Sequence, residues 1–145
     1  LPPPAQPILV DYNLSFEEMI NVGQYWPRDP DFTRENFPFV GRGRHKRKSF
    51  LFLCENMSMQ EIAEMLGEES CDSSSVEELL AYGAQYPDTG RYPVIATSSI
   101  ARISCPAGFA FYVPAIELEW ESRCLSIQWA DGLMPKGTYV LGVQR

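Results

Sequence analysis

Three Ser-x-x-Glu boxes stand in the first half of this chain, at Ser15–Glu18, Ser58–Glu61 and Ser75–Glu78. In such a box the serine hydroxyl accepts from the third N–H of the helix and the glutamate reaches back to the serine N–H. The pairing fixes where a helix begins. Apolar residues follow each box at helical spacing: Phe16, Met19 and Ile20; Met59, Ile62, Ala63 and Leu66; Val76, Leu79 and Leu80. Gly23, Gly67 and Gly83 stand where C-terminal glycines would end the helices. The pattern predicts three short amphipathic helices whose Met and Leu stripes cover a sheet.

The second half changes period. Ser49 to Cys54 is apolar at every position after the serine, as a central strand buried on both faces would be. Pro93 to Thr97, Ile100 to Cys105 and Phe109 to Val113 are β-branched or aromatic runs bounded by Pro and Gly. From Ile116 to Glu121 the alternation is strict: Ile116, Leu118 and Trp120 on one face, Glu117, Glu119 and Glu121 on the other. Leu125, Ile127 and Trp129 continue it after a turn near Ser122, and Thr138 to Val143 closes the chain. Ile8 to Val10 adds a short early strand. The expected class is α+β, three short helices with an antiparallel-rich sheet of about five to seven strands.

The length of 145 residues suits one domain, expected over 8–145. Residues 1–7, LPPPAQP, hold four prolines and read as an extended tail or linker. That stretch and the missing initial Met suggest a domain cut from a longer protein or one freed of a signal peptide. No apolar run approaches the ~20 residues of a membrane helix. The net charge of −7 argues against general affinity for nucleic acid or anionic lipid.

One window reverses that charge. Five of the twelve Lys and Arg residues, Arg42, Arg44, Lys46, Arg47 and Lys48, fall within seven positions, with the single histidine, His45, among them. Outside the window seven bases face nineteen acids, a formal −12. Gly41 and Gly43 interleave with the first two arginines, so the window reads as a flexible basic loop. Such a loop could wrap a phosphate or, with Phe37, Phe39 and Phe50, a single nucleic-acid strand. The plainer reading is a solvated loop, or one docked on the acidic body. Trp26-Pro27-Arg28-Asp29-Pro30 and Trp129-Ala130-Asp131-Gly132 each join an indole to polar turn residues. They are either recognition loops or anchors with a buried tryptophan.

Catalytic signatures are sparse. A Ser-His or Cys-His system would have to use His45, which sits among cations with no carboxylate beside it in sequence. No nucleophile elbow, P-loop, dinucleotide-binding glycine pattern or paired metal-ligand spacing occurs, so no metal or cofactor is expected. The Glu117, Glu119, Glu121 row reads as a solvated outer face. The cysteines at 54, 71, 105 and 124 read as reduced thiols of a cytoplasmic protein. A disulfide from Cys71 to Cys105 or Cys124 stays open, as does an exposed Cys71 thiol. An enzyme would declare itself by a cleft holding two carboxylates in unlike environments, or by His45 and its neighbours packed inside against Asp or Glu.

Two resemblances accompany these residues. The order of a strand from Ser49, two helices, then several strands ending in a terminal one resembles the C-type-lectin-like arrangement, which pairs its first and last strands. No calcium motif or disulfide pattern of that family is present, so lectin activity does not follow. Val76-Glu-Glu-Leu-Leu-Ala81, Tyr86-Pro87, Tyr92-Pro93-Val-Ile-Ala96 and Tyr139-Val-Leu-Gly-Val143 resemble small uncharacterised bacterial proteins reading "ATxxELLAfgxxYP…fPIxAlGS" with a "yRFLAVR" close. That likeness would span about Phe50 to Arg145 and implies no activity. The function expected is therefore a non-catalytic binding or protein-interaction domain, probed through Arg42, Arg44, His45, Lys46, Arg47, Lys48, Trp26, Trp129 and Asp131. The alternative is phosphate or nucleic-acid binding through 42–48, and the third reading is a carboxylate-based enzyme.

Overall fold

The computed structural model describes residues 3–145. Its elements run β1 (Gln6–Asp11), α1 (Phe16–Gly23), β2 (Trp26–Pro27), β3 (Arg44–Leu53), α2 (Met59–Glu68), β4 (Asp72–Ser73) and α3 (Val76–Gln85). Then come β5 (Val94–Ile95), β6 (Ala101–Cys105), β7 (Gly108–Glu119), β8 (Ser122–Trp129) and β9 (Tyr139–Gln144). All nine strands join one mixed sheet with the order β1-β3-β9-β5-β7-β8-β2, while β4 pairs with β9 and β6 with β7. Only β2 with β8 and β5 with β9 run parallel. The class is α+β, as the patterning predicts, although the sheet holds more strands than expected. Its two-residue strands β2, β4 and β5 are too short to leave an alternating signal.

Each serine box does what its spacing requires. Ser15, Ser58 and Ser75 all cap their helices, each accepting from the glutamate N–H three residues on while the glutamate accepts from the serine N–H. The helix ends differ from expectation. Gln24 and Ser70, not glycine, take the left-handed conformation that follows α1 and α2, with φ of 54° and 57°. Gly83 lies inside α3, pressed on Tyr25 and Ile116, so its lack of a side chain serves a close approach. Arg123 donates from both Nη atoms to the Gly23 and Gly83 carbonyls and stacks its guanidinium 4.9 Å from the Tyr25 ring centroid. One cation thus satisfies the last turns of two helices.

The helices cover opposite faces. Leu51 of β3 packs with Val76, Leu79 and Leu80 of α3 and with Phe16 and Met19 of α1. Phe52, its neighbour in sequence, packs with Ile62 and Leu66 of α2. β3 is therefore the central strand that its two-faced apolar run predicts. It also pairs with β9. Gln6 and Pro7, read as tail, are the first residues of β1, while Leu1 and Pro2 lie outside the described residues. The strands expected on either side of Pro114 are one strand of twelve residues. Pro114 needs to offer only its carbonyl there, and it receives the Ala96 N–H at 3.2 Å.

The outer edge of β1 is closed by side chains. Gln85 of α3 accepts from Leu9 N–H at 3.0 Å and donates to the Leu9 carbonyl at 2.7 Å, taking the place of a strand partner. Tyr86 donates to the Pro7 carbonyl at 2.6 Å. A bare edge of this kind would invite pairing with other chains.

Gly83→Ala tests the helix packing. Alanine is the better helix former by about 1 kcal/mol. A Cβ at 83, however, would lie 2.7 Å from Ile116 Cδ1 and closer still to the Tyr25 hydroxyl, which already donates to the Leu80 carbonyl. Overpacking costs about 1–3 kcal/mol and decides the sign. Urea unfolding of G83A should show a net loss of stability; an unchanged midpoint would refute this account of the glycine.

Candidate functional site

The basic window is a loop only at Arg42 and Gly43. Arg44 to Lys48 form the first half of β3, pairing antiparallel with β1 so that Arg44 faces Asp11, His45 faces Val10, Lys46 faces Leu9, Arg47 faces Ile8 and Lys48 faces Pro7. Strand pleating then divides the cations. His45 and Arg47 share the face of buried Ile8 and Val10, toward α3, while Arg44, Lys46 and Lys48 share the opposite face. A charge run reads locally as solvated loop; here an apolar partner strand and a buried acid on one side override it.

That acid is Glu78, the capping glutamate of α3, only 1% exposed. Its Oε1 accepts from Ser75 N–H at 2.9 Å, and its Oε2 accepts from the Tyr12 hydroxyl at 2.7 Å and Arg145 Nη1 at 2.6 Å. Arg47 Nε lies 3.8 Å from Oε2, an ion pair too long for a hydrogen bond, and that nitrogen has no other partner. Arg145 also reaches Asp72 at 3.3 Å. Burial pushes the Glu78 carboxyl up, but Arg145, the Ser75 N–H and Tyr12 more than offset it, so Glu78 sits below the usual carboxylate range. Burial and the Glu78 carboxylate together raise the Tyr12 phenol.

Glu77, also 1% exposed, differs in every respect. Its Oε2 accepts from Val40 N–H at 3.2 Å and Gly41 N–H at 2.8 Å, fastening the segment that leads into β3, while its Oε1 is buried without a partner. Burial raises its carboxyl above the ordinary value, and the two backbone N–H groups offset only part of that. The two neighbours thus form the pair of carboxylates in unlike environments that an enzyme would show, and Arg47 is packed against one of them. Yet His45 is exposed, its ring 5.7 Å from that of Tyr12 and its Nε2 donating to the Arg42 carbonyl at 2.9 Å. Both glutamates line the floor of a groove, yet each is only 1% exposed, and a general acid or base must reach the proton that it moves.

Two grooves flank this strand. One of about 440 Å³ is lined by Tyr12, Arg42, His45, Arg47 and Ser98 over the two glutamates. The other, about 410 Å³, is lined by Pro7, Lys46, Lys48 and Gln144. Arg47 and Arg145 line both. Among the described residues Arg44 pairs with Asp11 at 3.1 Å, and Arg42, Lys46 and Lys48 meet no carboxylate within ion-pair distance.

The remaining candidates lie elsewhere. Trp26 and Trp129, on β2 and β8, stand at the far end of the sheet from β1 and β3, so the proposed site residues form two groups. Both tryptophans are half exposed, which excludes the buried-anchor reading. Trp26-Pro27 pairs with β8, and Arg28 bridges Glu117 at 2.8 Å and Glu119 at 2.7 Å. The glutamate row is therefore half-buried and paired at these two positions, not a solvated face. Asp131 accepts from Phe111 N–H at 3.2 Å. Trp120, expected inside, is 91% exposed at the β7–β8 turn, where it and Glu121 both take positive φ. All four cysteines are free of disulfides, and Cys71 is buried rather than exposed. Burial pushes the Cys54 thiol up to about 12.

Among the described residues no group of three His, Cys, Asp or Glu side chains is placed to hold a metal, and no helix is long and apolar enough to cross a membrane. No protein family, curated protein or solved structure matches the chain. Sequence reasoning missed Tyr12, Glu77, Glu78 and Arg145. Glu78 carried a signal only as a cap, and nothing local marked the other three.

The two glutamates should respond oppositely to pH. The folded value of Glu78 lies below its unfolded one, so its contribution is complete above the ordinary carboxylate range, near 4.3, and is lost as pH falls through the folded value. The folded value of Glu77 is raised, so its charge weakens the fold at neutral pH and protonation on acidification relieves that. Glu78→Gln should cost about 3–5 kcal/mol at pH 7, because Arg145 and Arg47 lose their buried partner. Glu77→Gln keeps an acceptor for Val40 and Gly41 and should be neutral or stabilising. Denaturant melts at pH 7 and 4 check both, and equal losses in the two variants would refute the assignment.

Proposed function

We propose that this chain is a non-catalytic binding module that recognises an anionic partner through the cations of β3. The observation that carries the reading is the groove of about 410 Å³ lined by Lys46 and Lys48, which meet no carboxylate, beside Arg47 and Arg145, which Glu78 holds. Arg42, a further cation without an ion-pair partner, lines the other groove. A local positive field on a body that is otherwise −12 attracts anions to one place and repels them elsewhere. The carboxylate-based enzyme is the weaker reading, since Glu77 and Glu78 are both consumed in holding backbone and arginine groups. Phosphate groups and acidic protein segments share the required chemistry. Four cysteines free of disulfides, three of them buried, support placing the domain in a reducing, cytoplasmic setting.

The double substitution Lys46→Ser with Lys48→Ser tests this without touching the Glu78 network. Heparin and a single-stranded oligonucleotide serve as anionic probes over a salt series. Binding should fall steeply with salt, weaken about tenfold or more in the double variant, and lose about two units of log–log salt slope. Binding indifferent to salt, or equal in the two proteins, rejects the reading.

A further inference from the structure

One strand edge in the interior of the sequence has neither a neighbour nor a guard. Among the described residues β6 pairs with β7 alone, from Ala101 opposite Tyr112 to Cys105 opposite Gly108. The phase of this ladder follows from the next strand. Phe111 turns toward β8, where its carbonyl accepts the Ala130 N–H at 2.8 Å and its N–H donates to Asp131 at 3.2 Å. Ala110 and Tyr112 therefore turn toward β6, and their partners Ile103 and Ala101 turn toward β7. Arg102 and Ser104 alternate with these, so each turns its N–H and carbonyl to the open side. The devices that blunt such an edge are absent among the described residues: β6 carries no lysine and no proline, and no side chain covers it as Gln85 covers β1. Its one charge, on Arg102, is drawn back over β7, with the guanidinium 3.5 Å from the Phe109 ring centroid.

An antiparallel neighbour can use this edge only where outward residues face outward residues. Two copies of β6 can then meet in few ways. Arg102 opposite Arg102 sets like charges together. Ser104 opposite Ser104 sets Arg102 against Pro106, which has no N–H to give. Arg102 opposite Ser104 has neither fault. It pairs every outward N–H and carbonyl of these residues in both copies, about a twofold axis at Ile103. We propose that β6 is a homodimer edge, on which a second copy of this chain adds antiparallel with Ile103 facing Ile103. Phe109 and Phe111, 58% and 41% exposed, share a face with Ser104 and Arg102. Each row across the joined sheet would read phenylalanine, arginine, serine, phenylalanine, so no charge meets its like. The pairing is independent of the anion-binding reading, since β9 and β5 stand between β3 and the strand β7 that carries β6.

Sedimentation over a protein concentration series should show a monomer–dimer equilibrium that tightens with salt, because each copy carries −7. Association that weakens with salt would come from the cations of β3 against the acidic body of another copy, and overturns the proposal. Ser104→Pro deletes an outward N–H with no partner inside the chain. It should raise the dimer dissociation constant about tenfold or more. Two cysteine variants in a Cys105→Ser background read the register, the other three cysteines being buried. Ile103→Cys should form a disulfide-linked dimer under oxidised glutathione, because facing residues on the axis stand about 4.5 Å apart at Cα. Arg102→Cys should stay unlinked, since its twin lies about 8 Å away, beyond disulfide reach. Equal linking of the two, or a wild-type protein that stays monomeric at every concentration, overturns the pairing.

Discussion

Glu78 holds together four segments that are remote in sequence. Its carboxylate meets the N-cap of α3, the tyrosine that follows β1, an arginine of β3 and the arginine that follows β9. Burying an unpaired carboxylate costs several kcal/mol, and that cost is offset only when well-placed donors surround it. Three short hydrogen bonds and a nearby guanidinium meet the condition. The same contacts explain why a stretch dense in like charges becomes a strand: Arg47 can turn inward because a buried anion awaits it. Remove that anion and the inner face of β3 would present an uncompensated guanidinium to the α3 side of the core.

Local chemistry made the helices legible. Each serine box is a self-contained device of four residues, and the apolar spacing behind it needs no knowledge of the rest of the fold. The central strand was legible for a similar reason, since Leu51 and Phe52 are apolar toward both layers. What was hidden depended on partners distant in sequence. Arg44 to Lys48 read as loop because charge runs usually are, and the opposing Ile8 and Val10 lie 39 residues before Arg47 and 35 before His45. Gly83 read as a helix end because Tyr25, which requires its bareness, belongs to another segment. Glu117 and Glu119 read as solvated because Arg28 comes from about ninety residues away.

The pleat of β3 changes what the basic cluster can do. As a loop, its five cations could have gathered on one ligand. As a strand, neighbours face opposite ways, and same-face cations stand about 6.6–6.8 Å apart. Arg47 on the inner face is committed to Glu78, and Arg44 on the outer face to Asp11. Among the described residues Lys46 and Lys48, with Arg42 before the strand, meet no carboxylate within ion-pair distance. Fewer cations are therefore uncommitted than the sequence count suggests, and those on the strand are held in register by the ladder with β1.

The register itself is held from the side of β1. That strand needs cover along its outer edge, and Gln85 and Tyr86 supply it with side-chain atoms in the positions a strand would use. A neutral amide carries one acceptor and two donors, so a single glutamine matches both the N–H and the carbonyl of Leu9. At the end of the ladder the ion pair of Arg44 with Asp11 ties the two strands through side chains and uses no backbone group. β1 is thus fixed on its outer edge by α3 and at its end by β3, and this fixing is what sets Arg47 beside the buried carboxylate of Glu78.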